Sequence, residues 1–180
     1  MLRGSGVSEV LHAGAVVPAA VGLCCVARDR ARVVEMCAAA LMLLAMLDLA
    51  LGSPVLSAAA WSTVLIGTAG WLALSSRLSL APPCAHSVLG TALMAVCAAV
   101  MAVRGHVHAL AGETHRVGHV HDMAHETALG GLLVAAIAGT AVYLPVTWRV
   151  MRDATASASV RVAAGSMAAS LVIMLAAATV

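Results

Sequence analysis

The chain contains no Phe, Lys, Asn or Gln, and its only rings besides histidine are one Tyr and three Trp in 180 residues. A core stacked from aromatics is therefore excluded. The missing Lys, Asn and Gln accord with the codon bias of a GC-rich genome and carry no chemistry of their own. Charge is scarce too. Charged residues make up 10% of the chain, and the formal net charge is +2 with His neutral. That is too little and too dispersed for a nucleic-acid footprint, so no nucleic-acid partner is expected. The five cysteines, at 24, 25, 37, 84 and 97, show no framework spacing, and structural disulfides are not expected. No nucleophile elbow, phosphate loop or paired catalytic carboxylate is present, and His12 and His86 fall near opposite membrane faces, a poor pair for one haem. These absences argue against an enzyme.

What is abundant is apolar mass. The chain is 62% hydrophobic with a mean hydropathy of +1.01, which no ordinary soluble domain sustains. A hydrocarbon core about 30 Å thick takes roughly 20 mostly apolar residues per helix. Windows of that kind run over 7–27, 33–51, 55–76, 86–103, 127–148 and 160–180, and none alternates every second residue as a barrel strand would. The expected fold is all-α: one polytopic membrane bundle over residues 1–180 with six transmembrane helices, surrounded by the lipid bilayer. Glu9 and His12 interrupt the start of the first window, and Arg28, Arg30 and Arg32 follow it, which favours an uncleaved helix over a signal peptide.

Arginine placement sets the expected orientation, because positively charged short loops stay on the cytoplasmic side. With the N-terminus outside, Arg28, Arg30, Arg32, Arg77, Arg149, Arg152 and Arg161 lie inside, and only Arg3, Arg104 and Arg116 lie outside. The expectation is a multi-pass protein of the inner (plasma) membrane with both termini outside.

The longest connection, residues 104–126, is expected to be an extracytoplasmic loop. It gathers His106, His108, His115, His119, His121 and His125 with Glu113, Asp122 and Glu126. Neutral imidazole is the commonest side-chain ligand for transition metals. His115 with His119, and His121 with His125, are four apart and share a face on a helical turn, whereas His106 with His108 suits an extended segment. No zinc-finger or zincin spacing is present. These six histidines are candidate ligands for Cu or Zn; the other readings are a polar filler in a Lys-free protein and a pH-responsive loop.

Sulfur supplies a second pattern. Met42 and Met46 are four apart on the second helix, with Glu35 on nearly the same face, and His86, Met94, Cys97 and Met101 form one stripe on the fourth. Thioether, thiolate and imidazole together favour Cu(I). Apposed, the two faces would make a sulfur-lined route; Met is equally an adaptable filler of apolar gaps. Glu9, His12 and Asp48 all fall near the outer leaflet. Gly67 with Gly70, and Gly130–Gly131 with Gly139, suit close helix contact. Pro54 suits the first turn of the third helix and Pro145 a kink or end in the fifth, while Trp61, Trp71 and Trp148 are candidate interface residues.

The stretch Glu35-Met36-Cys37-Ala-Ala-Ala-Leu-Met42-Leu-Leu-Ala-Met46, then His86-Ser-Val-Leu-Gly-Thr-Ala-Leu-Met94 and the histidine segment, resembles a family of small actinobacterial multi-pass membrane proteins, a domain of unknown function. The resemblance covers most of the chain in order. It implies a His a few residues ahead of the second-helix methionines, where this chain has Ala38 and Ala39. It implies architecture and no activity. Two functions stay open: a membrane protein that binds or handles a transition metal, copper or zinc, and a non-catalytic structural or accessory subunit, homo-oligomeric or held in a larger membrane complex. A secondary transporter would be expected to show broken helices and inverted repeats, which are not evident.

Overall fold

The computed structural model describes residues 4–27, 33–51, 55–78, 85–113 and 119–179, and the side chains of 4–9, 12, 27, 76–78, 106–113, 119–126 and 178 are outside that description. Among the described residues there are six helices and no strand: α1 Gly4–Ala27, α2 Val33–Ala50, α3 Ala58–Leu78, α4 Ala85–Glu113, α5 His119–Arg152 and α6 Ala158–Thr179. Five carry a stretch long and apolar enough to cross a membrane, and α1 adds a shorter apolar run, Ala13–Val26. Large apolar side chains such as Val17, Ile66, Trp71, Val134 and Val142 face outward. Helices that are apolar on the outer as well as the inner face belong in lipid. The chain is a multi-pass membrane bundle.

α4 sits at the centre. Of its Ala85–Gly105 stretch 56% is buried, against 17% of the α5 stretch Thr127–Arg152, which lies at the periphery. α1 packs mainly on α6, α3 on α4, and α5 bridges α4 and α6, whereas α2 meets α3 and α4 only sparsely. Small residues permit these approaches. A Cβ at Gly22 of α1 would stand 2.6 Å from Ser166 Oγ of α6, and one at Gly139 of α5 would collide with the Leu93 side chain of α4. Hydroxyls fasten the same helices across lipid-excluded contacts: Ser170 donates to the Ala15 carbonyl at 3.1 Å and Ser62 to the Ala95 carbonyl at 3.0 Å. The other expected glycine contacts do not form among the described residues. Gly67, Gly70, Gly130 and Gly131 have open space beside them.

Four expectations are corrected. Residues 104–126 do not form one loop, because α4 continues to Glu113 and α5 starts at His119, with 114–118 outside the described residues. Helix formation beyond the bilayer needs backbone propensity and no apolarity, so charges and histidines did not end it. The third helix starts at Ala58 rather than 55, since the Asp48 carboxylate accepts the amides of Val55 (2.8 Å) and Leu56 (3.0 Å), and Ser57 Oγ then caps α3 through the Ala60 amide. Pro54 falls outside the described residues. Pro145 does not end the fifth helix, which runs on to Arg152. Trp61 is not an interface residue: it is buried, and its indole N–H donates to Asp48 at 2.7 Å. Asp48 is therefore engaged in holding α2 to α3; the side chains of Glu9 and His12 lie outside the described residues. Trp148 remains exposed, with the Arg152 guanidinium 4.6 Å above its ring, an arrangement suited to the headgroup zone.

Between α5 and α6, Asp153 accepts the Thr155 hydroxyl at 2.7 Å and the Thr155 amide at 2.9 Å, an Asx turn. The hydroxyl bond, then the amide bond, with a smaller contribution from Arg161, holds the Asp153 carboxyl below its ordinary value of 3.8. A depressed carboxylate stabilises the fold above its unfolded pKa, and that contribution disappears as pH falls through the folded value. Protection of the Thr155 amide, its exchange rate relative to that of an unstructured peptide at the same pH, is therefore expected to persist as pH falls and to be lost only below 3.8. Loss of protection beginning near pH 5 would contradict this.

Candidate functional site

The N-terminal ends of α2, α4 and α6 and the C-terminal end of α1 surround a small cavity. Its mouth is lined by Cys25, Glu35, His86, Ser87, Thr91 and Ser159. Glu35 and His86 are both buried. A charge at such a depth is costly and marks a place where function is worth seeking. The imidazole of His86 stacks on the Tyr143 ring of α5, with centroids 5.9 Å apart and planes 18° apart. Helical geometry explains the convergence: each mouth residue on α2, α4 and α6 stands within the first turns of its helix, so all three helices bring polar groups to one end of the bundle.

A second cavity continues inward and shares Val26, Ala39, Met42 and Met167 as walls. Its sulfur atoms come from three helices: Met42 and Met46 of α2, Met94 of α4 and Met167 of α6. Met42 and Met46 of the α2 stripe and Met94 of the α4 stripe thus share one cavity. Each cavity measures about 30 Å³. An organic substrate needs hundreds of Å³, so the space suits an ion or a water molecule. The Tyr143 hydroxyl reaches the inner cavity's wall: a Cβ on Gly90 would meet it at 3.2 Å and the Met167 methyl at 3.3 Å. Tyr143 is fully buried, with the Thr147 hydroxyl beside its own.

The expected site residues divide as follows. His86, Met42, Met46 and Met94 line the cavities. Cys97 is buried and Met101 half-buried, but neither lines them. At 1.5 Å per residue they stand about 4 and 10 Å beyond Met94 along α4, past the closed end. The side chains of His106, His108, His115, His119, His121 and His125 lie outside the described residues, so the candidate loop ligands have no geometry here. Among the described residues no three His, Cys, Asp or Glu side chains stand close enough to hold a metal ion. A ligand set in the cavities has to draw on thioethers. Ala38 and Ala39, where the resemblance implies a His, are both on the outer cavity's wall.

Sequence reasoning missed Met167 and Tyr143. The signal for the first was present, since Met167 and Met174 are seven apart on one face of α6 and repeat the spacing of Met94 and Met101 on α4. The second had a weaker one, the chain's single Tyr in an otherwise aliphatic run. The chain matches no protein-family model, no curated protein and no solved structure.

Proposed function

We propose that this protein binds a soft transition-metal ion, Cu(I) by donor chemistry, within the bundle, and that it belongs with the actinobacterial membrane family it resembles. One observation carries the metal reading: thioethers from α2, α4 and α6 border a cavity of ionic size, and the adjoining cavity, which shares Met42 and Met167 with it, is lined by a carboxylate and an imidazole. Neutral sulfur donors discriminate against hard ions and favour Cu(I) over Zn. The histidine-bearing ends of α4 and α5 lie at the opposite end of the bundle. With the termini outside the inner membrane, as the arginines favour, those imidazoles face outward and act as a collector.

The test is titration of detergent-solubilised protein with Ag(I), a redox-inert stand-in for Cu(I). The variant with Met42, Met94 and Met167 all changed to Leu is expected to lose at least about 100-fold in affinity, the upper end for perturbed metal sites. A variant with all six segment histidines changed to Ala is expected to keep the cavity site. Unchanged affinity in the methionine variant discards the reading.

A second reading, an accessory subunit, is favoured by the open glycines Gly67 and Gly70 on α3 and Gly130 and Gly131 on α5, small-residue faces unused within the chain. Recovery of one partner protein in detergent, together with no metal response, would establish it instead.

A further inference from the structure

We infer that the thioethers continue beyond the cavity as a path across the membrane interior, so that the protein conducts the ion as well as binding it. The inference rests on the soft-metal reading above and extends it from a site to an activity. Six of the ten methionines belong to one core assembly: Met42, Met46, Met94 and Met174 are buried in it, and Met101 and Met167 pack against it. Their order along the bundle is set by helix rise. Met42, Met94 and Met167 form the layer nearest the mouth, bordering the inner cavity. Met46 stands about 6 Å deeper on α2, and Met101 and Met174 about 10 Å deeper on α4 and α6. Successive layers are therefore separated by roughly 4 to 6 Å, a step that one flexible thioether spans by changing rotamer.

Among the described side chains, α2, α4 and α6 each present two methionines to this assembly, and Met151 of the peripheral α5 is not part of it. At the far end, which faces outward with the histidines, Arg104, half-buried and three residues beyond Met101, places a positive charge close to the entrance and opposes an arriving cation. The ion moves between neutral ligands with no bond made to carbon and no electron transferred, so its charge crosses uncompensated and an inside-negative potential accelerates entry.

Proteoliposomes holding the full chain and an entrapped fluorescent chelator would report Ag(I) entry, while titration in detergent reports binding. Changing Met101 and Met174 together to Leu preserves volume. It is expected to leave affinity within about twofold and to reduce entry at least about tenfold. Met101→Cys with Met174→Cys restores soft donors and is expected to recover part of the flux, which separates donor loss from misfolding; Arg104→Gln is expected to raise wild-type flux. Wild-type protein that binds Ag(I) but admits none, or a Leu double variant that conducts as the wild type does, overturns the path and leaves the binding reading standing. Absence of binding in the wild type removes both.

Discussion

Asp48→Ala is expected to lower the midpoint of thermal unfolding in detergent by about 10 °C, from the roughly 2–4 °C per kcal/mol typical of a chain this size. The reason is the number of donors that lose their acceptor at once. The carboxylate takes the Val55 amide, the Leu56 amide and the Trp61 indole N–H, and the last of these bonds is buried. A buried donor left without an acceptor costs about 1–3 kcal/mol, far more than the net worth of an average hydrogen bond. α2 has few other attachments to α3, so no alternative contact takes over. Asp48→Asn keeps one acceptor oxygen and turns an amino group toward the remaining donors, and it should fall between wild type and Ala. Trp61→Phe removes one donor and keeps most of the ring, and it should be the mildest of the three. Circular dichroism melts in one detergent would order them, and an Ala variant that melts with the wild type would contradict the assignment.

The second large effect is expected at Gly139. A methyl group there meets the terminal methyl of the buried Leu93 side chain, which has to rotate into an already packed core to make room, while its Cγ stays at an ordinary contact distance of 3.5 Å. Overpacking of this kind costs about 1–3 kcal/mol, more than the gain of up to about 1 kcal/mol from replacing a helical Gly by Ala. Gly139→Ala should therefore destabilise the α4–α5 contact, and Gly139→Val should do so further. Combining Gly139→Ala with Leu93→Ala should recover part of the loss, the signature of a shared contact. Gly67→Ala, with open space beside it, is the control and should be neutral or slightly stabilising. Equal melting behaviour at Gly139 and Gly67 would show that the two helices do not approach as closely as described.

Most of the bundle was legible because its signals are local. Uncharged runs of bilayer length, broken by Arg28–Arg32 and by Pro82–Pro83, mark helices whatever their neighbours are. What lay beyond local reading depended on partners. Nothing near Asp48 in sequence announces that it will hold the amides of Val55 and Leu56, and that contact is what delays α3 until Ser57. The ends of α4 and α5 were misjudged for a different reason, since hydropathy reports where lipid stops, and a helix does not have to stop with it. The α2 and α4 donor stripes could be seen from spacing alone; of their members Met42, Met46 and Met94 border the inner cavity and His86 the outer one, while Cys97 and Met101 border neither. The third wall, Met167 of α6, required knowing which helix packs beside them, and Tyr143 comes up against the wall residue Gly90 only because Gly90 has no side chain to keep it away.

The size of the inner cavity carries a consequence for how any ion would arrive. Its free space of about 30 Å³ admits only a few water molecules. A cation with a full hydration shell does not fit and has to shed part of it to reach the sulfur atoms. Small divalent ions give up water reluctantly and pay most at such a constriction, whereas a large, polarisable monovalent ion exchanges oxygen for sulfur readily. Dehydration thus becomes a filter on reaching the sulfur ligands, and Glu35 and His86, at the end opposite the histidines, stand where an ion leaving sulfur would regain oxygen and nitrogen ligands.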